Sequence, residues 1–306
     1  MNKKTMHNNR HIFNNKFSAR LFLAPAIIFF LMFIAYPVVF ILYGSLFDWS
    51  TLSNMNYVGF QNYEQLFKDK VFGITLKNSF YWIIITVSVQ MIIGFLLAYA
   101  IEENLESGKG FYRTIFFIPV VTSVVAIAIL FKSLFSPYQG LITNFFYKMG
   151  YKGVLNWLGN TKTAIFAIIV VNIWEWTGWS MVLYIAGISQ IPQEIKEASD
   201  IDGASKYRKI ISIYLPLLSA THKSLIMLGV IGSLQTFALV YQMTNGGPNN
   251  ASQMPGTYIF KSGFQIQKMG YASALSVLIL VIALILTIAQ VLILGSGNFM
   301  GKGDKE

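Results

Sequence analysis

Long apolar runs with almost no charge recur along the chain, separated by shorter polar segments. Six runs are long enough to cross a membrane, because a membrane helix needs about 20 mostly apolar residues. They span residues 21–43, 78–101, 114–131, 163–189, about 216–244 and about 271–294. Since these runs are continuous rather than alternating, they predict transmembrane helices and disfavour a β-barrel.

The composition supports the same interpretation. Hydrophobic residues make up 55% of the 306 residues and charged residues only 12%, about half the charged fraction of an average soluble protein. Mean hydropathy is +0.55. The chain has no cysteine and three histidines, which excludes disulfides and thiol nucleophiles and argues against a metal site. The sequence therefore predicts one all-α, polytopic membrane domain.

The distribution of positive charge predicts an orientation in the plasma membrane. The net charge is +10, which in a soluble protein would suggest nucleic acid, but here much of the basic excess flanks apolar runs. Residues 1–20 hold five lysines and arginines and no acid, and they lack the pattern of a secretory signal. With six crossings, 13 lysines and arginines fall on the cytoplasmic side and 7 outside. Both termini are predicted to be cytoplasmic, as a basic tail 1–20 and a tail 296–306.

The segment between the fourth and fifth runs is unusually charged for this chain. Residues 191–210 carry four acidic and four basic side chains. Pro192, followed by acidic residues, predicts a helix start, and Gly203 predicts a stop or tight turn. We expect a short helix on the cytoplasmic face, followed by a second stretch up to Pro216. A solvated loop is the simpler interpretation of such a charge run.

The same segment contains a spaced motif. Its residues, in order, are Glu197, Ala198, Ser199, Gly203, Ile213, Leu215 and Pro216. This order and spacing resemble the EAA loop in membrane subunits of binding-protein-dependent ABC importers. One position departs from the family pattern: Ser199 stands where the family has a second alanine.

The resemblance implies a type I ABC importer permease with six transmembrane helices. Helix 21–43 would precede a transmembrane domain over 74–295, with five core helices and a coupling loop over 190–216. The family's loop forms a coupling helix that docks on a separate ATPase subunit, which assigns that role here to Glu197, Ala198, Ser199, Asp200 and Gly203. Small residues permit close approach of a partner, and Glu197 can pair with a basic group.

Three further segments resemble the carbohydrate branch of these permeases, particularly its first, maltose-permease-like subunit. They are residues 113–119, 244–248 and 271–276, and the whole resemblance covers about residues 20–295. It implies import of a sugar or oligosaccharide, although the branch also contains glycerol-phosphate carriers. The implied partners are a second homologous permease, two ATPase subunits and an extracellular binding protein.

No nucleotide-binding motif of the Gly-x4-Gly-Lys-Ser/Thr type occurs in the sequence. The chain is therefore expected to be a transport subunit rather than an enzyme, with no cofactor of its own. ATP and Mg²⁺ would bind to the partner ATPase subunits.

The fourth run contains the first candidate substrate group, Glu175, Trp176 and Trp179. Glu175 is the only acid inside a run, and the three residues share a helical face. Indole rings can cover the apolar faces of a sugar while a carboxylate accepts from its hydroxyls. Helix packing explains the same three residues equally well.

The fifth run contains the second group, Ser233, Gln235 and Thr236. Their distance from the 244–248 segment matches positions that line the sugar site in the resembled maltose permease, where asparagines stand. The resemblance thus implies a polar lining for a different ligand. Hydrogen bonding between helices is the other explanation.

Two rival functions fit the sequence less well. An ion-coupled secondary transporter would need intramembrane carboxylates, and Glu175 is the only one. A membrane enzyme would need acids and histidines gathered near an interface; the histidines are not gathered, and the acids gather chiefly in the segment 191–210. His222 and Lys223 lie near the start of the fifth run, where snorkelling to the headgroups explains them.

Overall fold

The computed structural model describes residues 16–50 and 54–294. Residues 1–15 of the predicted basic tail and the whole of the predicted tail 296–306 lie outside the described residues. The chain divides into two compact units, Met1–Leu66 with Ser262–Val277, and Phe67–Lys261 with Leu278–Glu306.

The first unit contains the amino-terminal membrane helix. Helix α1 (Lys16–Phe30), a π-helical turn (Leu31–Ala35) and α2 (Tyr36–Gly44) follow one another without a gap. No residue of its most apolar window is buried, as expected for a helix whose sides face lipid. This helical stretch covers the apolar run 21–43.

A small hydrogen-bonded structure follows α2 and was not predicted. Strands β1 (Phe47–Asp48) and β2 (Asn56–Tyr57) pair antiparallel, and α3 (Gln61–Lys68) follows them. The side-chain amide of Asn62 donates to the carbonyls of Ser45 and Phe47, over 2.8 and 3.0 Å. These contacts fix the turn after the first membrane helix.

The second unit consists of helices and loops in the part of the chain that the structure describes. In chain order its helices are α4 (Lys70–Asn104), α5 (Lys109–Val121), α6 (Val124–Leu134), α7 (Leu141–Lys148), α8 (Ala164–Ile188), α9 (Gln193–Ile201), α10 (Lys206–Lys209), α11 (Leu215–Leu217), α12 (Ser219–Leu234), α13 (Ala238–Thr244) and α14 (Pro255–Phe260). A π-helical turn (Ile210–Tyr214) joins α10 to α11. Another π-helical turn (Lys261–Gln265) and the last helix, α15 (Met269–Leu294), each have residues in both units.

The second, fourth and sixth apolar runs form the long helices α4, α8 and α15, as predicted. The third and fifth runs form bent pairs of helices rather than straight helices. Helices α5 and α6 meet at 93°, and the helical stretch Lys206–Leu217 meets α12 at 67°. Within the described residues, four helices are long and apolar enough to cross a membrane, or six if each bent pair counts as one span.

Proline explains where the helices are distorted. Pro119 lies in the last turn of α5, and Thr122 after it adopts an extended backbone. Pro37 and Pro216 each follow a π-helical turn by two residues. Since a proline ring clashes with the carbonyl four residues earlier, a widened turn accommodates it without ending the helix.

Helix α8 is the centre of the second unit, packing along α4 and α5. Its most apolar window is 56% buried, against 28% for α4. Glycines set the close contacts: a Cβ on Gly94 would lie 2.7 Å from Ser180 Cβ, and one on Gly178 would lie 2.1 Å from the Phe116 carbonyl oxygen. Small residues permit such close packing between membrane helices.

Candidate functional site

A cavity of about 510 Å³ opens between α4, α8, α12 and the segment that joins α12 to α13. This volume lies within the range of about 300–1,000 Å³ typical of small-molecule sites. The six predicted substrate residues all line it: Glu175, Trp176, Trp179, Ser233, Gln235 and Thr236. The structure therefore brings together two groups that lie almost 60 residues apart in the sequence.

The break after α12 shapes one wall of this cavity. The Gln235 N–H donates to the carbonyls of Ile231 and Gly232, which closes the helix, and Phe237 leaves the helical conformation. The segment from Gln235 to Phe237 lines the cavity. Non-helical backbone at membrane depth is tolerated where it lines a cavity.

The two indoles are half-exposed on the wall. Trp176 and Trp179 expose 41% and 40% of their surface, whereas Trp82 on the facing helix α4 is 1% exposed. Exposure alone does not mark a cavity residue, because Trp174 on the same helix exposes 44% and does not line the cavity. Trp176 and Trp179 do line it, and their rings offer flat apolar surfaces to a molecule inside.

Glu175 is buried and lines the cavity beside these indoles, with 5% of its surface exposed. Among the described residues, no side chain or backbone group hydrogen-bonds to its carboxyl group and no basic residue forms an ion pair with it. Among the described residues, the alternative explanation of Glu175 by helix packing is therefore supported by no hydrogen bond or ion pair. A buried carboxyl group normally has a partner, and here the cavity is where one can bind.

The hydroxyls at the end of α12 are partly satisfied within their own helix. Ser233 Oγ donates to the Gly229 carbonyl over 2.7 Å, and Thr236 Oγ1 to the Gly232 carbonyl over 3.3 Å. Each hydroxyl oxygen can still accept a bond. The Gln235 side chain is exposed.

Sequence analysis missed two polar residues of the wall, Gln90 and Asn172. Gln90 Nε2 in α4 donates to both Oδ1 and the backbone carbonyl of Asn172 in α8, each over 3.2 Å. Both residues line the cavity. The available signal was their position, since each is an amide inside a predicted apolar run.

The predicted coupling segment forms the expected short helix, α9. The Pro192 carbonyl accepts from the Ile195 N–H in the first turn, and the chain turns at Gly203, where φ is +67°. Two contacts bind the segment to the end of α4: Lys196 to Glu103 over 2.8 Å and Lys206 to Asn104 over 2.9 Å. A third, from Lys209 to Asp200, lies within the segment.

The five predicted coupling residues differ in exposure. Glu197, Ala198, Asp200 and Gly203 are exposed, whereas Ser199 is buried and its hydroxyl donates to the Lys196 carbonyl over 2.6 Å. Two large apolar side chains nearby are also exposed: 87% of Ile201 and 74% of Tyr207. The segment therefore presents a mixed acidic and apolar surface.

His222 does not extend toward the membrane surface as predicted. Its Nδ1 lies 2.8 Å from the Tyr184 hydroxyl, and its Nε2 lies 3.1 Å from the Leu215 carbonyl oxygen. The imidazole therefore bridges α8 and the bend before α12. Snorkelling is wrong for this residue because a neighbouring helix supplies its partner.

Comparison with known proteins identifies the family. Residues 90–294 match the family described as binding-protein-dependent transport system inner membrane component. The probable ABC transporter permease protein YurN of Bacillus subtilis is 35% identical over 93% of this chain and 98% of its own length. The arabinooligosaccharides transport system permease protein AraP, also of Bacillus subtilis, is 28% identical over 95% of this chain and 92% of its own.

A solved structure shares the fold. It belongs to a bacterial ABC transporter involved in the import of the acidic polysaccharide alginate, and the matched chain aligns with a TM-score of 0.81 at 24% identity, over 92% of this chain and 96% of that one. The family match covers more than half of the sequence, and YurN matches almost all of it. The chain thus belongs to the binding-protein-dependent transport system inner membrane components, the multi-pass permeases of ABC importers, which are transport subunits and not enzymes.

Proposed function

We propose that this permease moves a sugar or oligosaccharide across the plasma membrane through the cavity between α4, α8 and α12. The observation that carries the proposal is the cavity itself, where half-exposed indoles stand beside a buried carboxyl group and side-chain amides. This mixture suits a ligand with apolar ring faces and many hydroxyls. The name of AraP, a permease for arabinooligosaccharides, supports a ligand of this class.

Each wall residue has a proposed role. Trp176 and Trp179 cover the faces of the sugar rings, and Glu175 accepts from hydroxyls. Gln235, Ser233 and Thr236 form polar contacts at the break after α12. Gln90 and Asn172, which are already paired, hold the facing helices at a fixed separation and leave further donors and acceptors for the ligand.

The proposed complex contains a second homologous permease, two ATPase subunits that bind ATP and Mg²⁺, and an extracellular binding protein. Both termini and α9 lie on the cytoplasmic side, in accordance with the excess of basic residues there. The transmembrane domain spans 74–295, with its coupling loop at 190–216. The chain itself binds no cofactor.

Coupling would run from α9 to the cavity through α4. The outer surface of α9, with Glu197, Ala198 and Ile201 exposed, is proposed to dock on the ATPase. Its inner surface is tied to the end of α4 by Lys196 and Glu103. Because α4 also supplies Gln90 to the cavity, a displacement of α9 by the ATPase would move one wall of the site. Transport would then follow from an equilibrium between two conformations of the permease, which a ligand bound at another site shifts.

The test is uptake by the complete complex in proteoliposomes, with the Glu197→Lys variant as the probe. Reversing this exposed charge replaces attraction to a basic partner by repulsion. We expect loss of ATPase co-purification or of ATP-driven uptake, with the permeases still folded. Glu106→Lys is the matched control, since Glu106 is an exposed acid in the loop between α4 and α5. Equal uptake in both variants and the unmodified complex would contradict the proposed docking surface.

A further inference from the structure

The cavity wall carries a single charged residue. Among the described residues that line it, Glu175 is the only acid, and none is a lysine, arginine or histidine. Only 5% of the Glu175 surface is exposed. Its carboxyl group has no hydrogen-bonding partner within the part of the chain that the structure describes. The net charge of the side chains that line the cavity is therefore negative or zero.

Three basic residues on the surrounding helices have contacts outside the cavity, and two others, Lys70 and Lys223, do not line it. The Lys77 ammonium lies 5.7 Å from the Tyr81 ring centre, and Lys132 donates to the Gln242 carbonyl over 3.4 Å. The His222 ring contacts Tyr184 and the Leu215 carbonyl. None of these residues lines the cavity, so a ligand inside it meets no cation from them.

A lining with one carboxyl group and no cation discriminates between saccharides by their charge. A carboxylate, sulfonate or phosphate on a ligand loses hydration when it enters, and without a cation to pair with, this loss is uncompensated. A hydroxyl can donate to the Glu175 carboxyl group. A protonated amine can donate a stronger, charge-assisted bond to the same group.

We propose that Glu175 is the specificity-determining residue of this permease for ligand charge. The cavity accepts neutral and amino-substituted saccharides and rejects uronates, sulfonates and sugar phosphates. This inference rests on the proposed sugar transport. It also separates this chain from the alginate importer, with which it shares the fold, because an acidic polysaccharide would place carboxylates beside Glu175.

The experiment measures binding to the detergent-solubilised permease–ATPase complex without the binding protein, so that only the membrane cavity selects. The probes are methyl β-glucoside, methyl β-glucosaminide and methyl β-glucuronide. Their binding is measured by saturation-transfer NMR at pH 7. Each charged probe differs from the glucoside at one position: an ammonium group replaces the hydroxyl at C2, or a carboxylate replaces the hydroxymethyl group at C5. We expect the amine to bind best and the uronate about tenfold more weakly than the neutral sugar, the size of one charge-assisted hydrogen bond.

Glu175→Gln keeps the size of the side chain and removes its charge. We expect this variant to bind the amine and the neutral sugar equally and to bind the uronate better than the unmodified complex does. Glu106→Gln removes an exposed acid outside both the cavity and the proposed docking surface and should leave all three affinities unchanged.

The outcomes separate the two proposals. Uronate binding as tight as that of the neutral sugar, or an unchanged order of affinities in Glu175→Gln, would overturn the charge selection while leaving a saccharide site in place. Absence of binding by all three probes to an assembled complex would overturn the saccharide site itself, and with it this inference.

Discussion

Lys196 Nζ in α9 donates to Glu103 Oε1 at the end of α4 over 2.8 Å, across 93 residues of sequence. The two side chains are largely covered, with 18% and 23% of their surfaces exposed. The same ammonium lies 5.9 Å from the centre of the Tyr214 ring. This ion pair is a direct connection between the proposed ATPase-docking helix and a membrane helix that lines the cavity.

Breaking this ion pair should reduce coupling more than stability. We expect Glu103→Gln to change the free energy of unfolding by less than about 1 kcal/mol, as for other ion pairs near a surface. The number of substrate molecules taken up per ATP hydrolysed should fall several-fold, because α9 can then move without α4. Uptake and hydrolysis measured in the same proteoliposomes give this ratio.

Two variants sharpen this test. The exchange Glu103→Lys with Lys196→Glu restores an ion pair of reversed polarity, and it should recover part of the lost coupling. Lys206→Gln removes the neighbouring contact to Asn104, where the partner is neutral, and should have a smaller effect. If Glu103→Gln took up as much substrate per ATP hydrolysed as the unmodified complex, the ion pair would have no role in coupling.

Gly178 provides a test of the close contact between α5 and α8. A Cβ at this position would lie 2.1 Å from the Phe116 carbonyl oxygen, a distance that forces the helices apart. We expect Gly178→Val to destabilise the permease by about 1–3 kcal/mol, the usual cost of overpacking. Thermal unfolding of the purified permease would measure this.

Gly73→Val in α4 is the matched control, because nothing lies within 4 Å of a Cβ there. It should leave stability unchanged or raise it slightly, because valine has a higher helix propensity than glycine. If both variants unfolded at the same temperature, the proposed α5–α8 contact would be wrong.

The sequence predicts the helices and the coupling segment because their signals are local. A charge-free run of about 20 residues is apolar whatever surrounds it, and Pro192 and Gly203 determine backbone geometry at their own positions. The antiparallel strands β1 and β2, in which Phe47 pairs with Tyr57, have two residues each. That is too few for an alternating pattern to be recognised.

The sequence does not predict the breaks at Thr122 and at Gln235, because hydropathy measures burial in lipid and not continuity of the backbone. It also misses the pair of Gln90 with Asn172, which forms only when α4 packs against α8. Glu175 was predicted as a substrate residue from its chemistry, and Gln235 through the family resemblance. Their common cavity depends on tertiary contacts that no single run contains.

The contribution of the indoles to the cavity can be measured with a matched pair of tryptophans on α8. Trp179 lines the cavity, whereas Trp174 does not and instead packs edge-on against Phe131, with ring centres 5.2 Å apart. We expect Trp179→Ala to raise the KM for uptake at least about tenfold, corresponding to loss of about 1.4 kcal/mol of ring contact. Trp174→Ala should lower thermal stability and leave KM nearly unchanged. The reverse pattern would remove Trp179 from the substrate site.

Gly203 tests whether the turn after α9 depends on its backbone conformation. Its φ is +67°, and a Cβ added to it would meet no atom within 4 Å. Substitution therefore acts through conformation alone within this chain. Gly203→Val should destabilise the turn by about 1–2 kcal/mol, whereas Gly203→Asn should cost less because asparagine tolerates left-handed backbone. ATPase co-purification should follow the same order, and equal retention in the two variants would show that turn geometry does not control docking.

Single-cysteine labelling decides the number of crossings, and the chain has no native cysteine to remove. Glu106, Lys152 and Ser205 are exposed and lie before α5, between α7 and α8, and after α9. If the bent pair of α5 and α6 is one span, Lys152→Cys should react with an impermeant maleimide in intact cells, while Glu106→Cys and Ser205→Cys should react only after the membrane is opened. If the 93° bend instead forms a re-entrant loop, positions 106 and 152 lie on the same side. Equal labelling of these two positions in intact cells would therefore contradict six crossings, whereas opposite behaviour requires the bent pair to cross the membrane once.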